Sequence, residues 1–166
     1  MREPLAIIAV GACCPVGLDV VESATSLRAG VSRKLETGLI DRELEPIVVG
    51  HVQDSDLPPL APALRTAATS LQRRLLRLAG GPLREVLEPL RSLPDQVVAP
   101  LLLATPAAMP GQTAPVDGRL LQLLMTQADR PLDLASSRLF TTGRAGFFAA
   151  VEAAAGELQA ERLRLP

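Results

Sequence analysis

The chain contains neither Trp nor Tyr, and its aromatic residues are limited to Phe140, Phe147 and Phe148. Apolar residues nevertheless make up 48% of its 166 positions. A core would therefore be built from Leu, Val and Ala rather than from aromatic rings. The length suits one domain with a substantial core, so we expect a single domain over residues 1–166.

An excess of one charge sign is also missing, since the formal net charge is −1. This balance argues against nucleic-acid or anionic membrane partners. Apolar runs fall short of the roughly 18 residues that a membrane helix needs. Arg2 and the apolar run before Cys13 loosely resemble a lipoprotein signal, but Glu3 and the shortness of the run argue against one. We therefore expect a cytoplasmic protein without membrane or nucleic-acid partners.

Residues suited to metal or redox chemistry are scarce. His51 is the only histidine, and the adjacent Cys13 and Cys14 have no second cysteine pair with which to build a metal site. We interpret the two cysteines as buried small hydrophobes, with a reactive thiol as the alternative. A G-x-G-x-x-G dinucleotide fingerprint is absent as well. We therefore expect no metal and no cofactor.

The most informative stretch lies at the start of the chain. The short aliphatic run Leu5–Val10 predicts a strand buried on both faces. Glycines and Pro15 then indicate a tight turn at 11–17. A helical pattern follows from Val20 to Leu27, with Gly30 at the position of a C-terminal cap. A buried strand that turns into a helix is typical of an α/β sheet.

Apolar stripes at helical spacing, apolar runs and breaker residues predict the later elements. Two glycines, Gly80 and Gly81, should end one amphipathic helix, and Pro82 should begin a shorter one. Pro100 lowers the strand character of the apolar run around it. In chain order we predict a hairpin region at 33–56 with a strand at 46–52, an extended connector at 57–62, a helix at 64–78 and a short helix from 82. A strand at 97–104, a loop at 105–116, a helix capped by Asp117 and a strand at 132–141 follow.

The opening resembles the β-ketoacyl synthases, the condensing enzymes of the thiolase superfamily. Their chains commonly begin with a strand, a G-x-x-x-P-x-G turn and a helix that ends in L-R-x-G. The matching residues here are Gly11, Pro15 and Gly17, followed by Leu27–Gly30. The resemblance implies an α/β fold: a mixed, mainly parallel sheet with helices on both faces, half of a thiolase-like fold.

The same resemblance extends to the alanine-rich segment from Gly143 to Ala154. In the family, the catalytic cysteine precedes a buried helix of this kind, so the resemblance implies a helix at 143–161 and puts the nucleophile position at or beside Gly143. Glycine has no side chain with which to form the thioester that condensation needs. Thr141 and Thr142 carry hydroxyl groups but no evident base partner. The resemblance therefore supports the fold and argues against any catalytic residue in this chain.

The matched region also affects the expected function. Family members have two related halves, and their catalytic histidines and lysine lie in the second, beyond the point that matches Pro166. We expect a fragment, or else a half-domain that persists with a partner, and we favour the fragment. Two functions stay open: a non-catalytic ketosynthase-like protein that acts by association, or part of an acyltransferase condensing enzyme of fatty-acid or polyketide synthesis whose remaining machinery lies elsewhere.

Association is expected through the helix that begins near Gly143, because its apolar residues surround it on all sides. The expected partner is a second copy or another ketosynthase-like subunit. The interface candidates are Phe147, Phe148, Ala150, Val151 and Ala154. A basic helix face is a weaker candidate for docking an acidic acyl carrier protein, and it carries Arg65, Arg73, Arg74 and Arg77.

Overall fold

A computed structural model describes residues 5–93, 97–108 and 116–160. The described chain is mixed α/β, which confirms the expected class. Among its residues, no helix is both long and apolar enough to cross a bilayer. The elements in chain order are α1 (Val20–Arg28), β1 (Lys34–Ile40), β2 (Pro46–Gly50), α2 (Ser70–Leu87), β3 (Leu102–Ala104), α3 (Arg119–Ala128), β4 (Arg138–Phe140) and α4 (Arg144–Gln159), with short 3₁₀ helices at Pro62–Leu64 and Glu88–Ser92.

The strands of the described chain form two separate two-stranded sheets rather than one mainly parallel sheet. Strands β1 and β2 pair antiparallel, with an irregular register between Glu36 and Ile40. This pair is the expected hairpin. Strands β3 and β4 pair in parallel, from Leu102 opposite Arg138 to Ala104 opposite Phe140. The parallel pair is the part of the structure that leads into α4.

The predicted N-terminal strand is wrong for the described chain. Residues 5–10 belong to neither sheet, and Ile7 and Ile8 are 84% and 68% exposed. A strand needs a neighbour to satisfy its backbone hydrogen bonds, and neither two-stranded sheet offers these residues one. Residues 5–10 therefore have the aliphatic composition of a buried strand, but the described chain places no strand beside them that would bury them.

Helix α1 confirms the predicted start and stop. Asp19 caps it by accepting a hydrogen bond from Glu22 N at 2.7 Å, and Gly30 follows it with φ +69°. The turn before it is held by Glu85 of α2, which accepts hydrogen bonds from Ala12 N at 3.1 Å and Val20 N at 3.3 Å. A carboxylate at the first turn of α1 also has the favourable sign for the helix dipole.

Helix α2 differs from the prediction because it runs through Gly80, Gly81 and Pro82 without ending. It begins at a capping box formed by Thr69 and Gln72, so residues 64–69 lie in a 3₁₀ helix and turn instead. Gly80 is buried against α3, where an added Cβ would lie only 2.9 Å from Gln127 Cγ. The glycine thus allows close helix packing here and does not act as a stop signal.

The remaining elements are shorter than predicted or begin at a different residue. Of the strand expected at 97–104, only Leu102–Ala104 pairs, after the donor-less Pro100. Asp117 accepts a hydrogen bond from Arg119 N at 3.1 Å, although Gly118 is the residue at the N-cap of α3. Positions 109–115 of the predicted loop and Glu161 of the last helix lie outside the described residues.

The core lies between α2, α3 and the segment before α2. Leu76 of α2 and Leu124 of α3 are its most completely buried side chains. Gln127 joins the connector to this core, because its amide accepts from Ala61 N at 2.9 Å and donates to Pro59 O at 3.1 Å. The buried cluster comprises Leu64, Ala68, Leu76, Val116, Leu120, Leu123 and Leu124.

Candidate functional site

The candidate site is the sharp turn between β4 and α4, which we call the elbow (residues 141–143). Gly143 is the N-cap residue of α4, with φ +63° and ψ −132°. Side-chain-bearing residues rarely adopt this conformation, and those that do so at strand-to-helix turns are characteristic of nucleophile elbows. The backbone geometry is therefore that of an elbow, although the residue at its tip carries no side chain.

The elbow is tied by its backbone to the end of β3. Thr105 N donates to Phe140 O at 2.9 Å, and Gly143 N donates to Thr105 O at 3.2 Å. Helix α4 packs closely on this frame because Gly146 has no Cβ, which would lie 2.8 Å from the Phe140 carbonyl oxygen. The elbow is thus held by these two hydrogen bonds and by the close approach of Gly146 to Phe140 O, which a residue with a Cβ would obstruct.

The side chains near the elbow offer little chemistry. Thr141 and Thr142 are exposed, and within the described chain no hydrogen bond joins either hydroxyl to a base. Thr105 Oγ1 is buried with no hydrogen-bond partner in that same part of the chain. His51 lies just after β2 and is exposed. The described residues also bring together no group of three or more His, Cys, Asp or Glu side chains that would hold a metal ion.

Helix α4 exposes most of its apolar surface instead of lying between two layers. Phe147, Phe148 and Val151 are 61%, 73% and 45% exposed. Ala150 is buried toward the rest of the chain, and Ala154 is half-buried. The two phenyl rings stack edge to face with centroids 5.5 Å apart. Among the interface candidates, the structure therefore leaves Phe147, Phe148 and Val151 open for a partner.

The predicted basic face of α2 is largely occupied by contacts within the chain. Arg77 donates to the carbonyl oxygens of Asp54, Leu57 and Pro58 at 2.6 to 2.8 Å. Arg74 donates to Val52 O at 2.7 Å and forms an ion pair with Asp54.

Arg73 likewise donates to Ala68 O at 2.9 Å, whereas Arg65 is exposed. Three of the four arginines proposed for carrier-protein docking thus bind backbone carbonyls of the preceding segment. The sequence carried no signal for this role, because the acceptors are main-chain atoms.

The two adjacent cysteines sit in different environments at the turn before α1. Cys14 Sγ is in hydrogen-bond contact with Ser23 Oγ at 3.3 Å, and this contact holds the pKa of the Cys14 thiol below its usual value. Burial raises the pKa of Cys13, and the neighbouring Cys14 raises it further. Both thiols are free and partly exposed, so the two cysteines are not the buried small hydrophobes that the sequence predicted.

We predict that alkylating reagents modify Cys14 before Cys13 as the pH is raised from acidic values. A lower thiol pKa gives a larger thiolate fraction at any pH below that pKa, and the thiolate is the nucleophile. Replacing Ser23→Ala should slow alkylation of Cys14, while Ser26→Ala on the same helix should not. Peptide mapping after timed iodoacetamide treatment would measure both rates, and faster alkylation of Cys13 would contradict the prediction.

Comparison of this chain with protein-family models, curated proteins and solved structures found no match among them. The elbow, α4 and the sequence pattern before them are therefore the features that bear on the function of the chain.

Proposed function

We propose that this chain is a non-catalytic, ketosynthase-like domain, half of a thiolase-like fold, that acts by association through α4. The observation that carries the proposal is Gly143 at φ +63°, at the tip of an elbow that opens directly into the exposed Phe147 and Phe148. In the β-ketoacyl synthases, which the sequence resembles, the catalytic cysteine precedes an alanine-rich helix, and the alanine-rich α4 that follows the elbow supports the proposal. The glycine removes the nucleophile from that arrangement.

The absence of covalent chemistry follows from the elbow itself. A condensing reaction needs a side-chain nucleophile to hold the acyl group as a thioester. Gly143 has none, and the flanking Thr141 and Thr142 have no hydrogen-bonded base in the described chain. Cys13 and Cys14 lie in the turn before α1, outside the elbow. An acyl group therefore has no activated attachment point at this site.

Association follows from the apolar surface that the described chain leaves exposed. Burying a large apolar side chain stabilises a complex by about 1.5–3 kcal/mol relative to leaving it in water. We propose a second copy of this chain as the partner, because a net charge of −1 produces little self-repulsion. Exposed large apolar side chains also occur on the N-terminal segment, α1 and the hairpin, including Ile7, Ile8, Val21, Leu27, Leu39 and Val48.

One observation favours the alternative, a condensing enzyme whose remaining machinery lies on other sequence or another subunit. The elbow keeps room for a side chain, since a Cβ at Gly143 would lie 3.6 Å from Ala107 N and 3.7 Å from Ala107 Cβ. A thiol there would stand at the N-terminus of the 16-residue helix α4. That location lowers the pKa of a thiol.

We predict that the wild-type chain forms no covalent acyl-enzyme when it is incubated with an acyl-thioester. The Gly143→Cys variant should acquire a thiol that acylates roughly two- to fivefold faster at pH 7 than an equivalent thiol away from a helix N-terminus. Gly30→Cys supplies that comparison, because Gly30 also has a positive φ but follows the C-terminus of α1. Intact-mass spectrometry and peptide mapping would identify and time each adduct.

The outcomes separate the two functions. A stoichiometric thioester mapped to Cys13 or Cys14 of the wild-type chain would refute the non-catalytic proposal. Equal acylation rates for Gly143→Cys and Gly30→Cys would argue against the elbow as a nucleophile position. Both variants place a side chain on a positive-φ residue, at a cost on the order of 1–3 kcal/mol, so circular dichroism has to show that each is folded before the rates are compared.

A further inference from the structure

A cavity of about 180 Å³ lies where the 3₁₀ helix after α2 meets the C-terminal end of α3. Its walls are mostly apolar, and two arginines, Arg91 and Arg130, complete the lining. None of these residues belongs to the elbow or to α4. The apolar wall consists of Leu87, Leu90, Leu93, Val97 and Pro131.

Arg130 is poorly satisfied within the described chain. Its Nη1 donates to Asp129 O at 2.8 Å, but its Nε is buried without a hydrogen-bond partner. Its Nη2 lies 3.7 Å from Glu88 Oε2, which is within ion-pair range but too long for a hydrogen bond. A guanidinium carries five N–H donors, and leaving buried donors unpaired costs free energy.

The described residues at the cavity carry a net positive charge. Arg91 Nη1 donates to Glu88 Oε1 at 3.0 Å, so a single carboxylate, Glu88, is shared by Arg91 and Arg130. The Arg91–Glu88 pair is exposed, with more than half of each side chain accessible, whereas the Arg130 side chain is 25% exposed. Arg130 is therefore the better-desolvated cation, and the described residues give it no full counter-ion.

We propose that this cavity binds a short aliphatic carboxylate, with its tail against the apolar wall and its head on the Arg130 guanidinium. A planar carboxylate matches the fork of guanidinium donors and would supply the acceptors that Glu88 does not. A dry apolar cavity of about 150 Å³ in another protein admits benzene, so 180 Å³ accommodates a tail of about six carbons. This inference is independent of the proposed association.

The test is a titration of the full chain with hexanoate, followed by calorimetry or by amide chemical shifts. Saturable binding of hexanoate is expected, with much weaker binding of acetate, which lacks the tail, and of hexylamine, which has the wrong charge. Arg130→Gln should weaken hexanoate binding about ten- to a hundredfold, the range for a hydrogen bond to a charged group. Arg119→Gln, at the exposed N-terminal end of α3, is the matched control and should leave the affinity unchanged.

A second variant keeps the test decisive if Arg130→Gln folds poorly. Leu90→Trp should fill the cavity and abolish hexanoate binding while Arg130 stays in place. Circular dichroism would establish that each variant is folded. The proposal is overturned if hexanoate shows no saturable binding, if hexylamine binds as tightly as hexanoate, or if a folded Leu90→Trp chain retains wild-type affinity.

Discussion

Replacing Phe147 and Phe148 together by Asp is expected to weaken association of the chain by at least about a hundredfold, while its helices stay folded. The two rings are 61% and 73% exposed, so the new carboxylates would face water in the monomer. In an interface the carboxylates would be desolvated, and the apolar contacts of the two phenyl rings would be lost. Concentration-dependent light scattering, with circular dichroism of the same samples, would measure both effects.

Leu71→Asp is the matched control for this pair. Leu71 is 50% exposed, and it lies in the first turn of α2, where an acidic side chain suits the helix dipole. Association should therefore be unchanged by it. A wild-type chain that stays a well-folded monomer at high concentration would refute association through α4, and unfolding of the Asp variant would show that the two rings are core residues.

Gly146→Ala is expected to destabilise the domain by about 1–3 kcal/mol, the usual cost of overpacking a close contact. The added methyl group would lie 2.8 Å from Phe140 O and 3.3 Å from Ala104 Cβ. Helix α4 would have to move away from β3 and β4, and the elbow would move with it. Denaturant-induced unfolding would report the loss as a lower midpoint at an unchanged slope.

Gly156→Ala provides a control on the same helix. Nothing lies within 4 Å of a Cβ at Gly156, so only the helix propensity of the residue changes. Alanine should therefore stabilise the domain by about 0.4–1 kcal/mol. If both variants shift the unfolding midpoint in the same direction, the close contact at Gly146 does not control the packing of α4.

Local chemistry in the sequence determined several elements of this protein. Asp19 and Gly30 bound α1 because a side-chain cap and a positive-φ residue act within one turn of the chain. The hairpin β1–β2 was likewise predicted, and the helix that begins after Gly143 was expected from the resemblance to β-ketoacyl synthases. The candidate site, which consists of the elbow and the apolar residues of α4, was proposed from the same resemblance and stays a prediction.

Tertiary structure decided what depends on distant partners. Gly80 and Gly81 predicted the end of a helix, yet α2 continues through them, and Gly80 lies close against Gln127 of α3. Arg77 was read as part of an exposed basic face, yet it binds carbonyl oxygens about twenty residues before it. Leu5–Val10 has the composition of a buried strand, but it is largely exposed and pairs with neither sheet. Composition sets what a segment can bury, whereas burial itself requires a neighbour that sequence spacing does not reveal.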